Sequence, residues 1–411
     1  MLIRSHLILS SVSACALFSL GANAQSAAIE TSPEEEADRR LSIVMVTSQK
    51  REQSLQDVPV VVTALTSDVI ADAGVRDIKD VTILTPGLIV TSSASSNDTT
   101  ARIRGVGTVG NNPGLESSVA INIDGVSRAR NGVAFGDLGE IERIEVLKGP
   151  QGTLFGKSSS AGVINIITKG PEDEFSGQAE FTAGNLGLLR TSGSVTGALT
   201  DSARGRLFGV YAKRDGTFDS ITVGSGPRTD QESDSYEFYS LRGQLEFDLN
   251  ADATLKLIGD FTDREENCCL AEYIAQDPAR SAVLNALAGG QGTGVDGDPF
   301  GRDAFANRDS MLEMQEYGLS AELDWALSFG DLTSITAYRD WQSSRNEDSD
   351  WSTADIWYRG DDGMEDRFQN FSQELRLNGQ TDRVDWLVGA YFAVEEFERF
   401  EELRYGEDYF S

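Results

Sequence analysis

Histidine is almost absent from this chain: its 411 residues include one, His6, close to the N-terminus. Histidine supplies the base of Ser-His-Asp triads, ligands of most zinc sites and the common axial ligand of haem. A chain that loses His6 with a leader peptide has none of these, and no other nucleophile constellation is evident. We therefore expect no enzyme, no cofactor and no resident metal.

Long apolar runs are lacking beyond the first residues. Arg4 provides a positive start, residues 7–20 are apolar, and Ala22-Asn23-Ala24 is a small-residue cleavage site. These features predict a signal peptide over residues 1–24. No later run approaches about 18 apolar residues, so any membrane span in the exported chain would be made of strands.

Basic residues are outnumbered, with 35 Lys and Arg against 66 Asp and Glu. Loss of Arg4 with the signal peptide changes the net charge from −31 to −32. A chain this acidic is a poor ligand for polyanions, so no nucleic acid is expected as a partner.

Cysteine is scarce as well, because Cys15 leaves with the signal peptide and only the adjacent Cys268 and Cys269 remain. In an oxidising compartment this pair could form a strained disulfide or bond with cysteines of another chain. A metal site on the pair is less expected, since no histidine and no third cysteine accompanies it.

The most informative stretch is 141–170, where alternating Ile and Val positions predict strands at 141–147 and 162–168. The hinge between them carries Gly149, Pro150, Gly152 and Gly156. It imitates the end of a Walker A loop, but the first glycine of that motif would fall on Gln151 and β-rich sequence follows. A second motif, G-x-G-x-x-G at 105–110, is followed by Asn-Asn-Pro-Gly, which cannot start a phosphate-binding helix. Neither motif predicts a nucleotide site.

The 141–170 stretch resembles the closing segment of the plug domain of TonB-dependent outer-membrane receptors of the siderophore-receptor type. Three further stretches fit that family in order and spacing: IVMVT with QKR at 43–51, LQDVPV at 55–60 and RIRGVG at 102–107. The resemblance covers roughly residues 42–400 and is strongest between 43 and 170. It implies an α+β plug domain followed by an antiparallel transmembrane β-barrel in the Gram-negative outer membrane, in contact with lipid.

The order of segments can also be predicted. Residues 25–40 are polar and acidic, and residues 25–54 are expected to form a flexible periplasmic arm that contains the TonB box. Residues 55–170 mix short strands and helices, as in a compact plug domain. Ser67 is a candidate N-cap for a helix over 68–73, and a second helix is predicted over 77–84. Residues 177–411 are expected to form the barrel part.

Beyond residue 176 long strands alternate, with Tyr239, Leu241 and Leu245 on one face and Arg242 and Gln244 on the other. This alternation favours a membrane barrel with a wet lumen, and a soluble sandwich with one solvated face is the alternative. Nine strands are predicted, near 177–184, 187–199, 204–214, 236–249, 252–264, 314–328, 331–345, 367–378 and 382–398. Long links at 215–235, 265–313 and 346–366 are separated by short turns, which also favours the barrel.

Nine strands would make a barrel too narrow for a plug, whereas barrels of about 22 strands can hold one. We therefore expect the chain to be the N-terminal part of a receptor that lacks roughly 13 strands. A naturally truncated product that transports nothing is the alternative.

The resemblance also assigns candidate site residues. The TonB box would comprise Ile43, Val44, Met45, Val46 and Thr47, and it would add as a strand to the TonB–ExbB–ExbD energy-coupling complex. The alternative is that this segment is an edge strand of the plug.

The candidate ligand contacts are Arg102, Arg104, Asn111, Asn112, Arg128 and Arg130, since loops on a rigid scaffold usually carry binding. Arg102 and Arg104 could instead pair with acidic residues of the barrel wall. The expected function is energised import of a large scarce solute, first of all a ferric siderophore. Cobalamin, an oligosaccharide or an aromatic metabolite are alternatives, and a passive porin is the rival class.

Overall fold

The computed structural model describes residues 44–410 except 52, 76, 94, 109–113, 129, 131–139, 224–225, 271–272, 274 and 291–300. The predicted signal peptide, the first part of the arm and Ile43 lie outside these residues. The described chain consists of a small α/β region followed by a large antiparallel sheet.

Among its described residues, the first region has ten short strands and three short α-helices. In chain order they are β1 (Met45–Val46), β2 (Gln53–Ser54), β3 (Val61–Thr66), α1 (Ser67–Asp72), α2 (Val81–Leu84), β4 (Leu88–Ser92), β5 (Thr99–Ile103), β6 (Val106–Gly107), β7 (Val119–Ile123), β8 (Val126–Arg128), β9 (Ile141–Lys148), α3 (Gly152–Phe155) and β10 (Gly162–Thr168). One five-stranded sheet has the order β3-β9-β10-β7-β8, and β4-β5-β6 form a second sheet. We call this region the plug.

The two strands predicted around the glycine-rich hinge are confirmed as β9 and β10. They pair antiparallel, and β10 pairs parallel with β7 on its other side. Alternation along β9 sends Ile144 and Val146 into the main core, whereas Glu145 and Leu147 lie on the opposite face of the sheet. The main core therefore lies on one face, and a smaller apolar cluster lies on the other.

The helix predictions need two corrections. The first helix begins at Ser67 itself, with extended Thr66 at the N-cap position and no side-chain capping bond, because β3 runs directly into the helix. The second helix is limited to Val81–Leu84. The preceding residues form a turn in which the Asp80 amide donates to the Asp77 carbonyl over 3.0 Å, so they do not extend the helix.

Among its described residues, the second region has thirteen strands and one α-helix. In chain order they are β11 (Ser176–Ala183), β12 (Leu189–Thr200), β13 (Ala203–Arg214), β14 (Phe218–Ile221), β15 (Glu232–Ser233), β16 (Ser235–Asn250), β17 (Ala253–Asn267), α4 (Pro278–Leu287), β18 (Asp303–Phe305), β19 (Met311–Leu327), β20 (Gly330–Asp348), β21 (Trp357–Gln380), β22 (Asp385–Glu401) and β23 (Arg404–Tyr405). The large sheet has the order β11-β12-β13-β16-β17-β19-β20-β21-β22, and β23 pairs with β21. We call these nine long strands the wall.

The nine predicted strands are confirmed, and so is their two-faced character. Leu241 is 52% exposed on the outer face, whereas Ser240 and Gln244 on the inner face are buried. The apolar face thus points away from the protein and the polar face points inward, which is the reverse of a soluble sandwich.

The links between wall strands follow the prediction with one correction. Two long links, at 215–234 and 268–310, alternate with two-residue turns. The seventh link is short, at 349–356, because β21 begins at Trp357. Pairing of Tyr358 with Asp348 and of Arg359 with Glu347 extends β21 beyond a bulge, which the alternation pattern could not reveal.

Parts of the two long links pair with each other in a small sheet of order β15-β14-β18. Helix α4 starts after Asp277, whose carboxylate accepts from the amide of Ala279 over 2.8 Å, with Pro278 at the first position. No described helix is long and apolar enough to cross a membrane.

Candidate functional site: the plug, its N-terminal segment and the wall

The segment at residues 44–51 lies folded against the plug. Its strand β1 pairs with β2 in a separate two-stranded sheet, so it is not an edge strand of the five-stranded plug sheet. Val46 and Ser48 are buried, and the Lys50 amide donates to the Thr47 carbonyl over 2.8 Å. Of the predicted TonB-box residues, those from Val44 to Thr47 are described, and they occupy an extended, docked conformation.

Thr47 is held by a buried carboxylate of the plug. Its amide lies 2.8 Å from Oε1 of Glu145, and its hydroxyl lies 3.2 Å from the same oxygen. Glu145 also accepts from Nε of Arg143 over 2.9 Å and from Nδ2 of Asn165 over 3.2 Å. Every neighbour is a donor, which matches an ionised carboxylate that only accepts.

Lys50 connects the same segment to the wall. Its Nζ lies 3.1 Å from Oε2 of Glu374 on β21 and 4.8 Å from the ring centre of Phe155 in α3. Burial lowers the pKa of Lys50 below its ordinary value, although Glu374 opposes this shift. The neighbouring Arg51 lies 3.9 Å from Asp385 in a more exposed pair.

A chain of six alternating charges joins the plug to the inner face of the wall. Asp124 pairs with Arg242, and Nη1 of Arg242 lies 3.6 Å from Asp260. The chain then continues through Arg339 and Glu316 to Arg128 of the plug. Arg339 lies 2.6 Å from Asp260 and 2.5 Å from Glu316, and Arg128 lies 3.2 Å from Glu316.

The predicted ligand-contacting arginines fall into two groups. Arg128 and Arg130 pair with wall carboxylates, and Nη1 of Arg130 lies 3.0 Å from Oε1 of Glu395. Arg102 and Arg104 form no ion pair with the residues that the structure describes, and Arg104 lies in the turn after β5 with a φ of 54°. Arg128 and Arg130, rather than Arg102 and Arg104, form the ion pairs with acidic residues of the wall. Asn111 and Asn112 lie outside the described residues.

A recess of about 580 Å³ lies between the tip of the β4–β5 hairpin and the wall, at the end that carries the long links. Arg214 and Arg264 both stack on the ring of Tyr236, at 5.1 Å from its centre. The walls of the recess come from strands far apart in the chain, so the sequence alone does not show that these segments meet. Its further lining includes Ser92, Ser96, Arg190, Phe238, Cys268 and Cys269.

Cys268 and Cys269 are joined, with 2.01 Å between their sulfur atoms. Both are buried beside Leu312, and Cys269 has a φ of 75°, which is uncommon for a residue with a side chain. Among the described residues, no group of three or more acidic, His or Cys side chains could hold a metal ion.

The glycine-rich hinge has a structural role. Gly149 and Gly156 have φ values of 114° and 72°, and a single helical turn, α3, lies between them. Only glycine adopts such angles without strain, so this hinge lets β9 return as its neighbour β10. Lys157, at the end of the false Walker motif, pairs with Glu116 and Glu395.

Comparison with known proteins agrees with this geometry. Residues 54–163 match the family model described as TonB-dependent Receptor Plug Domain. The chain is 32% identical over 219 residues to the ferripyoverdine receptor of Pseudomonas aeruginosa, which covers 51% of this chain and 24% of that protein. It is 29% identical over 248 residues to the iron-regulated outer membrane virulence protein of Vibrio cholerae, which covers 57% of this chain and 36% of that protein.

Among solved structures, the ferric yersiniabactin uptake receptor FyuA from Yersinia pestis has the same fold. The TM-score is 0.68 at 18% identity, covering 83% of this chain and 49% of that chain. A plug domain followed by a large antiparallel sheet with an apolar outer face defines the class of TonB-dependent receptors. Residues 54–163 carry the plug domain of this family, and the described chain shares the fold of the ferric yersiniabactin uptake receptor. The chain spans less than half the length of the two curated relatives and about half of FyuA.

Proposed function

We propose that this chain acts in energised import of a ferric siderophore across the outer membrane. The observation that carries the proposal is the extended segment at 44–47, docked on a plug that is itself seated on the wall by buried ion pairs. A docked, β-prone segment can leave the plug and add as a strand to a partner's sheet edge, where backbone hydrogen bonds provide affinity. We propose no enzymatic step.

The partner in this proposal is the TonB–ExbB–ExbD complex, reached through residues 43–47 in the periplasm. The chemistry required of the partner is a free sheet edge, because the side chains from Val44 to Thr47 are uncharged. Force applied there would be transmitted to the plug through Thr47 and to the wall through Lys50.

A ferric siderophore is proposed as the solute for two reasons. The relatives named above are a ferripyoverdine receptor, an iron-regulated protein and a ferric yersiniabactin uptake receptor. In addition, the recess at the end with the long links is lined by the rings of Tyr236 and Phe238 beside Arg214 and Arg264, which pair with Asp234 and Glu266, and this mixed polar and aromatic lining suits a partly aromatic chelate.

Replacement of Val44 by proline tests the coupling. Proline removes the backbone donor that strand addition needs, so uptake of a radiolabelled ferric siderophore by iron-starved cells should stop while surface binding persists. Val44→Ala keeps the donor and should keep uptake. Equal uptake by both variants would overturn the assignment of the segment.

Collapse of the proton gradient distinguishes the rival class. An energised receptor should stop importing when an ionophore is added, whereas a passive porin should continue. Competition with unlabelled cobalamin or an oligosaccharide, in place of the ferric siderophore, tests the alternative solutes.

A further inference from the structure

We propose that Glu145 is the internal anchor that holds the 44–51 segment on the plug, with Thr47 as the residue that it grips. This anchor goes beyond the proposed function, because it is the contact whose rupture must precede any strand addition. Only the reason for releasing the segment, its addition to a partner's sheet, depends on the proposed function. The contact itself is measurable without transport.

The carboxylate is positioned by the plug sheet rather than by the segment. Glu145 lies in the middle of β9, paired with Ala64 of β3 on one side and Asn165 of β10 on the other. Its side chain has no exposure to solvent. Because central strands fix both neighbours, the anchor stays in place whether or not the segment is docked.

Docking is what completes the polar environment of this carboxylate. The segment supplies two donors, the amide and the hydroxyl of Thr47, to a site that otherwise has Arg143 and Asn165. Asn165 also donates to the Thr47 hydroxyl over 3.2 Å, so Thr47 is held by two plug strands. Hydrogen bonds to an ionised acceptor are about twice as strong as neutral ones, which makes this contact the main polar link between segment and plug.

The second link, between Lys50 and Glu374, goes to the wall and not to the plug sheet. The two links therefore have different consequences when broken. Loss of the Glu145 contact removes the bond between the segment and the five-stranded plug sheet, whereas loss of the Lys50 contact leaves the segment attached at Thr47. The contact between Thr47 and Glu145 therefore sets the position of the docked segment on the plug sheet.

Strand β9 offers a matched control. Glu142 and Glu145 both pair with Arg143, but Glu142 is 50% exposed and does not reach the segment. Glu142→Gln and Glu145→Gln remove the same charge from the same strand and leave the same arginine behind. In Glu145→Gln, one of the two acceptor oxygens becomes an amide donor that faces the donors of Arg143 and Asn165.

The readout is the mobility of a spin label at Met45→Cys, an exposed position of the segment, in the full chain reconstituted in lipid vesicles. We expect a largely immobile label in the parent and in Glu142→Gln. In Glu145→Gln the ratio of released to docked segment should rise about tenfold, the size expected for loss of one charge-assisted hydrogen bond. An unchanged spectrum in Glu145→Gln would overturn the proposal.

Thr47→Val guards against a general loss of plug structure. It leaves the plug interior intact, keeps the amide bond to Glu145 and removes the hydroxyl, so an intermediate rise in mobility is expected. Circular dichroism of each variant should match the parent. If Val44→Pro leaves uptake unchanged while Glu145→Gln releases the label, the proposed function fails and the anchor stands. If the label stays immobile in Glu145→Gln while uptake still depends on Val44, the anchor fails and the proposed function stands.

Discussion

Arg128 of the plug and Glu316 of the wall form a buried ion pair, with 3.2 Å between Nη1 and Oε1. Glu316 is shared with Arg339, which in turn contacts Asp260. The two regions of the chain are thus joined by charges in an environment from which water is largely excluded. Removing one partner of such a pair strongly destabilises the folded protein, because the other charge stays buried without its partner.

The attachment of the plug to the wall should therefore depend on Arg128. Arg128→Met leaves Glu316 with Arg339 alone, and we expect a loss of about 3–5 kcal/mol in the stability of the plug against opening. Amide hydrogen exchange of strands β7 and β8 measures this loss.

The control for Arg128 is Lys157→Met. Lys157 also pairs with a wall residue, Glu395, but its side chain is 49% exposed. Its loss should cost less than about 1 kcal/mol. Equal protection of β7 and β8 in the two variants would show that the buried chain of charges does not seat the plug.

Gly162 should tolerate no side chain. A Cβ there would overlap the carbonyl oxygen of Leu147 and lie 2.6 Å from Cδ1 of Ile103, at a φ of 154°. Gly162→Ala should destabilise the β9–β10 pair by about 1–3 kcal/mol or more, as exchange protection in β10 reports. Gly170→Ala, where a Cβ would meet nothing within 4 Å, should be neutral. Similar losses in the two variants would contradict the steric cause.

Docking of the 44–51 segment should vary with pH through Lys50. Burial lowers the pKa of docked Lys50 below its ordinary 10.5, so between the lowered pKa and 10.5 the released segment binds more protons than the docked one. Docking should then strengthen as pH rises through this window and level off above 10.5. The spin label at Met45→Cys, followed from neutral pH upward, measures the change. In Lys50→Met the dependence should disappear, and its persistence would assign it to another group.

The disulfide between Cys268 and Cys269 should contribute little to global stability. It closes a ring with no intervening residue, so it restricts the unfolded chain far less than a disulfide across a long loop, and we expect less than about 1 kcal/mol. Replacing both cysteines by serine should leave the unfolding midpoint nearly unchanged. Proteolysis should increase only within the link 268–310, since both cysteines pack on Leu312 at its base. A large drop in the midpoint would show that the pair supports more than this link.

The wall was largely predictable from sequence because each strand carries its own signal. Residues such as Leu241 and Gln244 alternate with a period of two, and this period sets which face each side chain occupies whatever the neighbours are. The start of β21 was not predictable, because it depends on pairing with Glu347 and Asp348 beyond a bulge.

The site was less predictable than the wall. Arg128 and Arg130 were identified as candidates, but their partners Glu316 and Glu395 lie far away in the chain, and alternation does not reveal which wall residue meets which plug residue. The sequence pattern around Glu145 does not predict its contact with Thr47, because a glutamate in an alternating strand is expected to face solvent. The docked segment covers this face of the sheet at Glu145, next to the smaller apolar cluster.

The sequence by itself determined the plug-like hinge at 149–156, the nine alternating strands and the position of the extended segment, because these depend on local backbone preferences and periodicity. The tertiary structure decided that Thr47 is held by Glu145, that Lys50 reaches Glu374, and that six charges form one chain between plug and wall. The physical reason is that burial and ion pairing arise between residues distant in sequence, and the free energy of a charge depends on what surrounds it.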